Sequence, residues 1–203
     1  MLRIIFYYVA RGRSRLDRIG SLSYTGAMTE TKKAAALLSE IKKGKFHTVI
    51  LAMPDMQGRW VGKRMTARHF AETVAAHGTN ACAYLLTVDM EMDPVPGFEL
   101  TSWTKGYQDL TLAPDYDFWR GLPWQPGTAL LVCDAVDEKS RPITVAPRQV
   151  LKDQIRRASE RGYSLKMASE LEFYLFRETY ESAQKKNWTA LEHHGTYIED
   201  YHM

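Results

Sequence analysis

Cysteine is almost absent: Cys82 and Cys133 are the only two in 203 residues. Each lies in an apolar, strand-like run, so they read as buried thiols in a reducing compartment rather than as a disulfide or a metal pair. No apolar stretch approaches the roughly 20 residues that span a bilayer, and no membrane contact is expected. Charge of one sign is scarce too. The formal net charge is +3 and the basic residues are dispersed, whereas a nucleic-acid footprint gathers Lys and Arg on one face or tail. What remains is ordinary globular composition, 45% hydrophobic and 25% charged, at a length that allows one large domain or two small ones.

The first stretch stands apart. Leu2 to Ala10 is apolar except for Arg3, and Arg11, Arg13, Arg15 and Arg18 follow with a single acid, Asp17. Arg-rich, acid-poor composition is that of organellar transit peptides, and Met28 is an alternative start. Residues 1–28 are therefore expected to be a leader, disordered or non-native, and the location expected is cytoplasmic.

From Met28 the pattern becomes periodic. Thr31 is placed to cap a helix with Ala34, Leu37, Leu38 and Ile41 on one face and Gly44 as its stop. Strands over Thr48–Met53 and Arg59–Met65, joined by five residues, predict a β-hairpin. Thr66 starts a helix carrying Ala67, Phe70, Ala71 and Val74. Further strands are expected at Ala81–Thr87, Tyr107–Leu112 and Thr128–Cys133, with a loop over Asp89–Trp103 and a Pro- and Trp-rich linker over Phe118–Gly127. This order is α+β, a small mixed sheet with a helix laid across it. A polar connection near Ser140–Pro147 divides 29–140 from 141–203. A helix over Arg148–Arg161 with Val150, Leu151, Ile155 and Ala158 inward opens the second part.

That helix leads to Glu170-Leu171-Glu172-Phe173-Tyr174-Leu175-Phe176, read as a strand. Period-two alternation puts Glu170 and Glu172 on one face with Cα atoms roughly 6.5 Å apart. Two carboxylates held side by side call for a cation between them. The alternative is an edge strand with a solvated acidic face. His193, His194 and His202 sit in polar, unpatterned surroundings and read as solvated loop residues.

Three segments together resemble the glutamine synthetase family, from about His47 onward, and most closely its γ-glutamyl-amine branch. They are Met53-Pro54-Asp55-Met56-Gln57-Gly58-Arg59 with Gly62-Lys63-Arg64; Gly106-Tyr107-Gln108-Asp109 through Ala113-Pro114-Asp115 to Pro126-Gly127-Thr128-Ala129; and Pro147-Arg148 with Gly162-Tyr163 and the Glu170–Phe176 run. The resemblance implies a β-Grasp-like N-terminal domain over 29–140 and the truncated start of an α+β catalytic domain over 141–203. It implies ATP as co-substrate, Mg²⁺ or Mn²⁺, glutamate and ammonia or a small amine as substrates, and a homo-oligomeric ring. Glu170 and Glu172 become ligands to different metals. Asp55 becomes the carboxylate that reaches a neighbouring subunit's site and binds or deprotonates the amine, although Asp before Gly in a turn also serves local hydrogen bonding alone. The family's other metal ligands and its ATP-binding arginines are expected beyond Met203. An N-terminal piece inactive by itself is therefore expected, with a non-catalytic β-Grasp module that joins full-length subunits as the alternative.

Overall fold

The computed structural model describes residues 2–7, 27–102, 104–171 and 173–196. Two compact units divide the chain, one drawn from residues 12–161 and the other from 1–11 and 162–203. Each is taken by itself.

The larger unit starts with helix α1 (Ala27–Lys42). It begins before Thr31, which lies within it and is not its cap. Leu37 is fully buried, and α1 packs on the strand Asp109–Gly121. The expected hairpin is present. Strands β2 (Thr48–Pro54) and β3 (Trp60–Thr66) pair antiparallel from Thr48–Thr66 to Pro54–Trp60. The Thr66 hydroxyl accepts from the His69 N–H at 3.2 Å and starts α2 (Ala67–His69), which continues as a π-helical turn over Phe70–Val74. Strand β4 is only Thr79–Cys82, and Ala83–Leu86 is a 3-10 turn, so the strand expected over Ala81–Thr87 is cut short. Ala83 and Leu86, three apart, are the residues that this turn buries. That is the spacing of a tight helix and not of a strand.

Strand β5 (Asp109–Gly121) runs well past Leu112 into the expected linker, which shrinks to residues 122–127. It pairs with β6 (Thr128–Val136), and Asp115–Phe118 bulge out between the Pro114–Cys133 and Trp119–Leu131 pairs. The sheet order is β3-β2-β6-β5-β4, with β2 and β6 parallel and every other pair antiparallel. The fold is α+β, as expected. Val49, Leu51, Phe70, Leu86, Leu112 and Leu131 form the centre of the core.

Helix α3 (Pro147–Glu160) closes this unit. Its expected inward face is not buried. Val150 and Leu151 are 44% and 46% exposed, and no residue of the helix is buried. The residues facing the sheet are Arg148 and Lys152, one turn apart on another face.

In the smaller unit β1 (Leu2–Tyr7), within the stretch read as leader, pairs antiparallel with β7 (Lys166–Leu171). The strand expected over Glu170–Phe176 thus lies earlier. Phe173, Tyr174 and Leu175 lie beyond it and are well exposed. A short helix, α4 (Tyr180–Lys185), carries a capping box between Thr179 and Ser182. His193 is exposed, as expected, with its ring tilted against Phe176 at 4.9 Å between centroids, and His202 lies outside the described residues.

Candidate functional site

One aspartate builds the β2–β3 turn. Asp55 follows the last residue of β2, and its side chain is 0% exposed. Its Oδ1 accepts from the Gln57 N–H at 3.0 Å and the Arg59 N–H at 2.8 Å, and Oδ2 accepts from Arg59 Nε at 2.7 Å. The main chain closes the turn, since the Asp55 N–H donates to the Arg59 carbonyl at 2.9 Å. Gly58 takes φ +82°, a left-handed conformation open to glycine without a Cβ penalty.

Arg59 reaches further. Its Nη1 donates to the Met90 carbonyl at 2.6 Å and its Nη2 to the Asp89 carbonyl at 2.8 Å, while Gln57 Nε2 donates to the Val88 carbonyl at 2.9 Å. The hairpin turn is thereby stitched to the loop over residues 88–92. Burial pushes the Asp55 carboxyl up. The Arg59 side chain and the two backbone N–H groups outweigh that and hold it below the ordinary carboxylate range. The group is a buried carboxylate with its charge compensated within its own turn.

The same construction recurs. Asp137, just after β6, accepts from the Lys139 and Arg141 N–H groups at 2.9 Å each and from Arg141 Nε at 2.7 Å, with Ser140 at φ +58° in the place of Gly58. Asp89 accepts from the Glu91 and Asp93 N–H groups at 3.0 and 2.9 Å, with Met92 at φ +72°. Because β2 and β6 are parallel neighbours, the Asp55 and Asp137 turns leave the same end of the sheet. An aspartate four residues before an arginine is therefore local turn chemistry in this fold. Asp55 differs in burial and in the reach of Arg59, whereas Arg141 is 69% exposed and bonds its own turn.

Glu170 lies in β7, in register with Arg3 of β1. Glu172 lies outside the described residues. Asp55 belongs to the larger unit and Glu170 to the smaller. Among the described residues no group of three or more His, Cys, Asp or Glu is placed to hold a metal ion.

A cluster that the sequence reading missed joins α3 to the sheet. Arg148 bonds Asp134 of β6 and, at 2.6 Å, Asp115 of the β5 bulge; Lys152 bonds Asp134 and lies 3.8 Å from Asp115. Asp115 and Arg148 were both in view, in Ala113-Pro114-Asp115 and Pro147-Arg148. Their pairing depends on the bulge, which no local pattern announces.

Comparison with known proteins adds a family. Residues 144–202 match the family model described as glutamine synthetase, catalytic domain. Gamma-glutamylethanolamide synthetase GlnA4 of Streptomyces coelicolor is 44% identical over 161 residues, which is 79% of this chain and 35% of that protein. Glutamate–isopropylamine ligase of a Pseudomonas species is 33% identical over 151 residues, 74% of this chain and 33% of that protein. The solved GmaS/ADP complex is similar with a TM-score of 0.48 at 25% identity, covering 62% of this chain and 26% of that one. The chain spans about a third of the length of the curated relatives it matches.

Proposed function

We propose that this chain, which belongs to the glutamine synthetase family, is the amino-terminal part of an ATP-dependent ligase that joins the γ-carboxyl of glutamate to an amine. The observation that carries the reading is the 44% identity with gamma-glutamylethanolamide synthetase across 79% of the chain. A second relative is named for isopropylamine, which favours a small alkylamine over ammonia. The sheet-bearing unit is read as a β-Grasp-like domain. A hairpin, a helix and a last strand that returns parallel to the first support it. In this reading the protein works in the cytoplasm as a homo-oligomeric ring, and 203 residues by themselves do not turn over.

Glu170 and Glu172 would hold Mg²⁺ or Mn²⁺, since carboxylate oxygens are the donors these hard cations take. Such cations, when bound, neutralise the ATP phosphates brought up to the glutamate carboxylate. Asp55 is assigned to the amine. A carboxyl held below its ordinary range is a weak base, so its part is to bind the ammonium form by charge, leaving proton removal to another group.

The test is the gene expressed to its natural stop, assayed for phosphate release with glutamate, Mg-ATP and ethanolamine, isopropylamine or ammonium. Amine-dependent release that disappears in Glu172→Ala is expected. Undiminished turnover in that variant refutes the ligand assignment, and no release with any amine refutes the ligase reading.

A further inference from the structure

The Arg148 cluster asks why a helix is fixed by charge where an apolar stripe was available. Arg148 stands in the first turn of α3, behind Pro147. A cation there opposes the helix macrodipole, and the turn contains no acid to offset it. Local sequence therefore works against Arg148, and what holds it is tertiary: Asp134, Asp115 and the face of Phe118, whose ring centre is 5.0 Å from the guanidinium. The four charged side chains are between 14% and 26% exposed, dry enough for the pairs to matter and wet enough for each to be solvated if the helix leaves. The helix adds no buried apolar residue of its own.

We propose that Arg148 is a positioning residue: with Lys152 it latches the helix inside the segment matching the catalytic-domain model onto the preceding sheet by ion pairs and the face of Phe118, with no buried apolar residue from the helix, so that α3 can leave while the sheet stays folded. Docking by apolar burial would make helix and sheet one cooperative block. Docking by charge separates them, because the two aspartates regain water when α3 departs. The latch lets α3 shift without reopening the core around Leu51 and Leu131. It rests on the family match for its meaning and on this chain's contacts for its existence.

Hydrogen exchange on the full chain tests it without any activity assay, so its failure is distinct from failure of the ligase reading. In Arg148→Met the α3 amides should lose about tenfold or more of their protection, the loss that corresponds to about 1.4 kcal/mol, while β2 and β6 amides stay unchanged. Arg148→Lys, which keeps the charge without the fork, should recover part of it. Raising NaCl should loosen α3 in the native chain and do little in Arg148→Met, a response that mere packing lacks. Equal protection of α3 in both proteins, or loss spread evenly over the sheet, overturns the latch. If Arg148→Met does not fold, Lys152→Met and the salt series on the native chain decide in the same way.

Discussion

Replacing Asp55 by asparagine isolates what the buried turn contributes. Asn keeps an oxygen for the Gln57 and Arg59 N–H groups but can turn an NH₂ toward Arg59 Nε, donor against donor, where a 2.7 Å charge-assisted bond stood. Breaking a buried pair costs about 3–5 kcal/mol. Arg59 keeps its bonds to the Asp89 and Met90 carbonyls, so its charge is not orphaned and the low end, about 3 kcal/mol, is expected. With a urea slope of about 2 kcal/mol/M the midpoint falls by about 1.5 M. Asp137→Asn is the matched control. It disturbs the same bonds in an exposed turn and should shift the midpoint far less. Far-UV circular dichroism in urea measures both. A control shift as large as that of Asp55→Asn would show that burial and the reach of Arg59 add nothing. The pH dependence carries a sign as well. The Asp55 carboxyl is depressed in the folded state, so its stabilisation is complete above the unfolded value of about 3.9 and is lost as pH falls through the folded one. Native and Asp55→Asn stabilities should therefore converge at acid pH.

Other positions give independent checks. A Cβ at Gly62 would stand 1.9 Å from the Leu51 carbonyl oxygen across the hairpin, so Gly62→Ala should open the β2–β3 pairing and lower Tm by more than about 5 °C in calorimetry; an unchanged Tm would contradict that close approach. Cys133 is fully buried and its thiol is pushed up to about 12, so a thiol reagent should modify half-buried Cys82 first and Cys133 only as fast as the protein unfolds. Hydrogen bonds from Lys186 and Ser182 hold the Glu178 carboxyl at about 2. Its contribution is present above the ordinary glutamate range and lost as pH falls toward about 2. Carboxyl NMR should show that midpoint, and Lys186→Met should raise it.

Much of the larger unit was legible because its signals are local. Thr66 as a cap, the five-residue hairpin connection and the span of α3 each depend on residues close in sequence. The misreadings share a different cause. Val150 and Leu151 have the spacing of a buried stripe, yet the sheet offers Asp115 and Asp134, and ion pairs turn Arg148 inward instead. The linker expected from Phe118 became strand because β6 supplied partners as far as Gly121. In each case the deciding partner lies far along the chain, where periodicity carries no information.

Asp55 shows the same division within one residue. Its turn-making role follows from spacing to Gln57 and Arg59, and Asp137 repeats it. Its burial does not follow, because that comes from Arg59 spanning to the loop over residues 88–92. This bears directly on the proposed amine role. Both carboxylate oxygens already accept hydrogen bonds, so an ammonium reaching Oδ2 competes with Arg59 Nε for it. Arg59 is the partner that can yield, since its two Nη groups stay hydrogen-bonded to carbonyls when Nε lets go. The Gln57 and Arg59 N–H groups on Oδ1 would keep the turn closed during such an exchange. A carboxylate held in this way is ionised in the folded protein and its cost of desolvation has been met by the fold, which is what the proposed amine role would require.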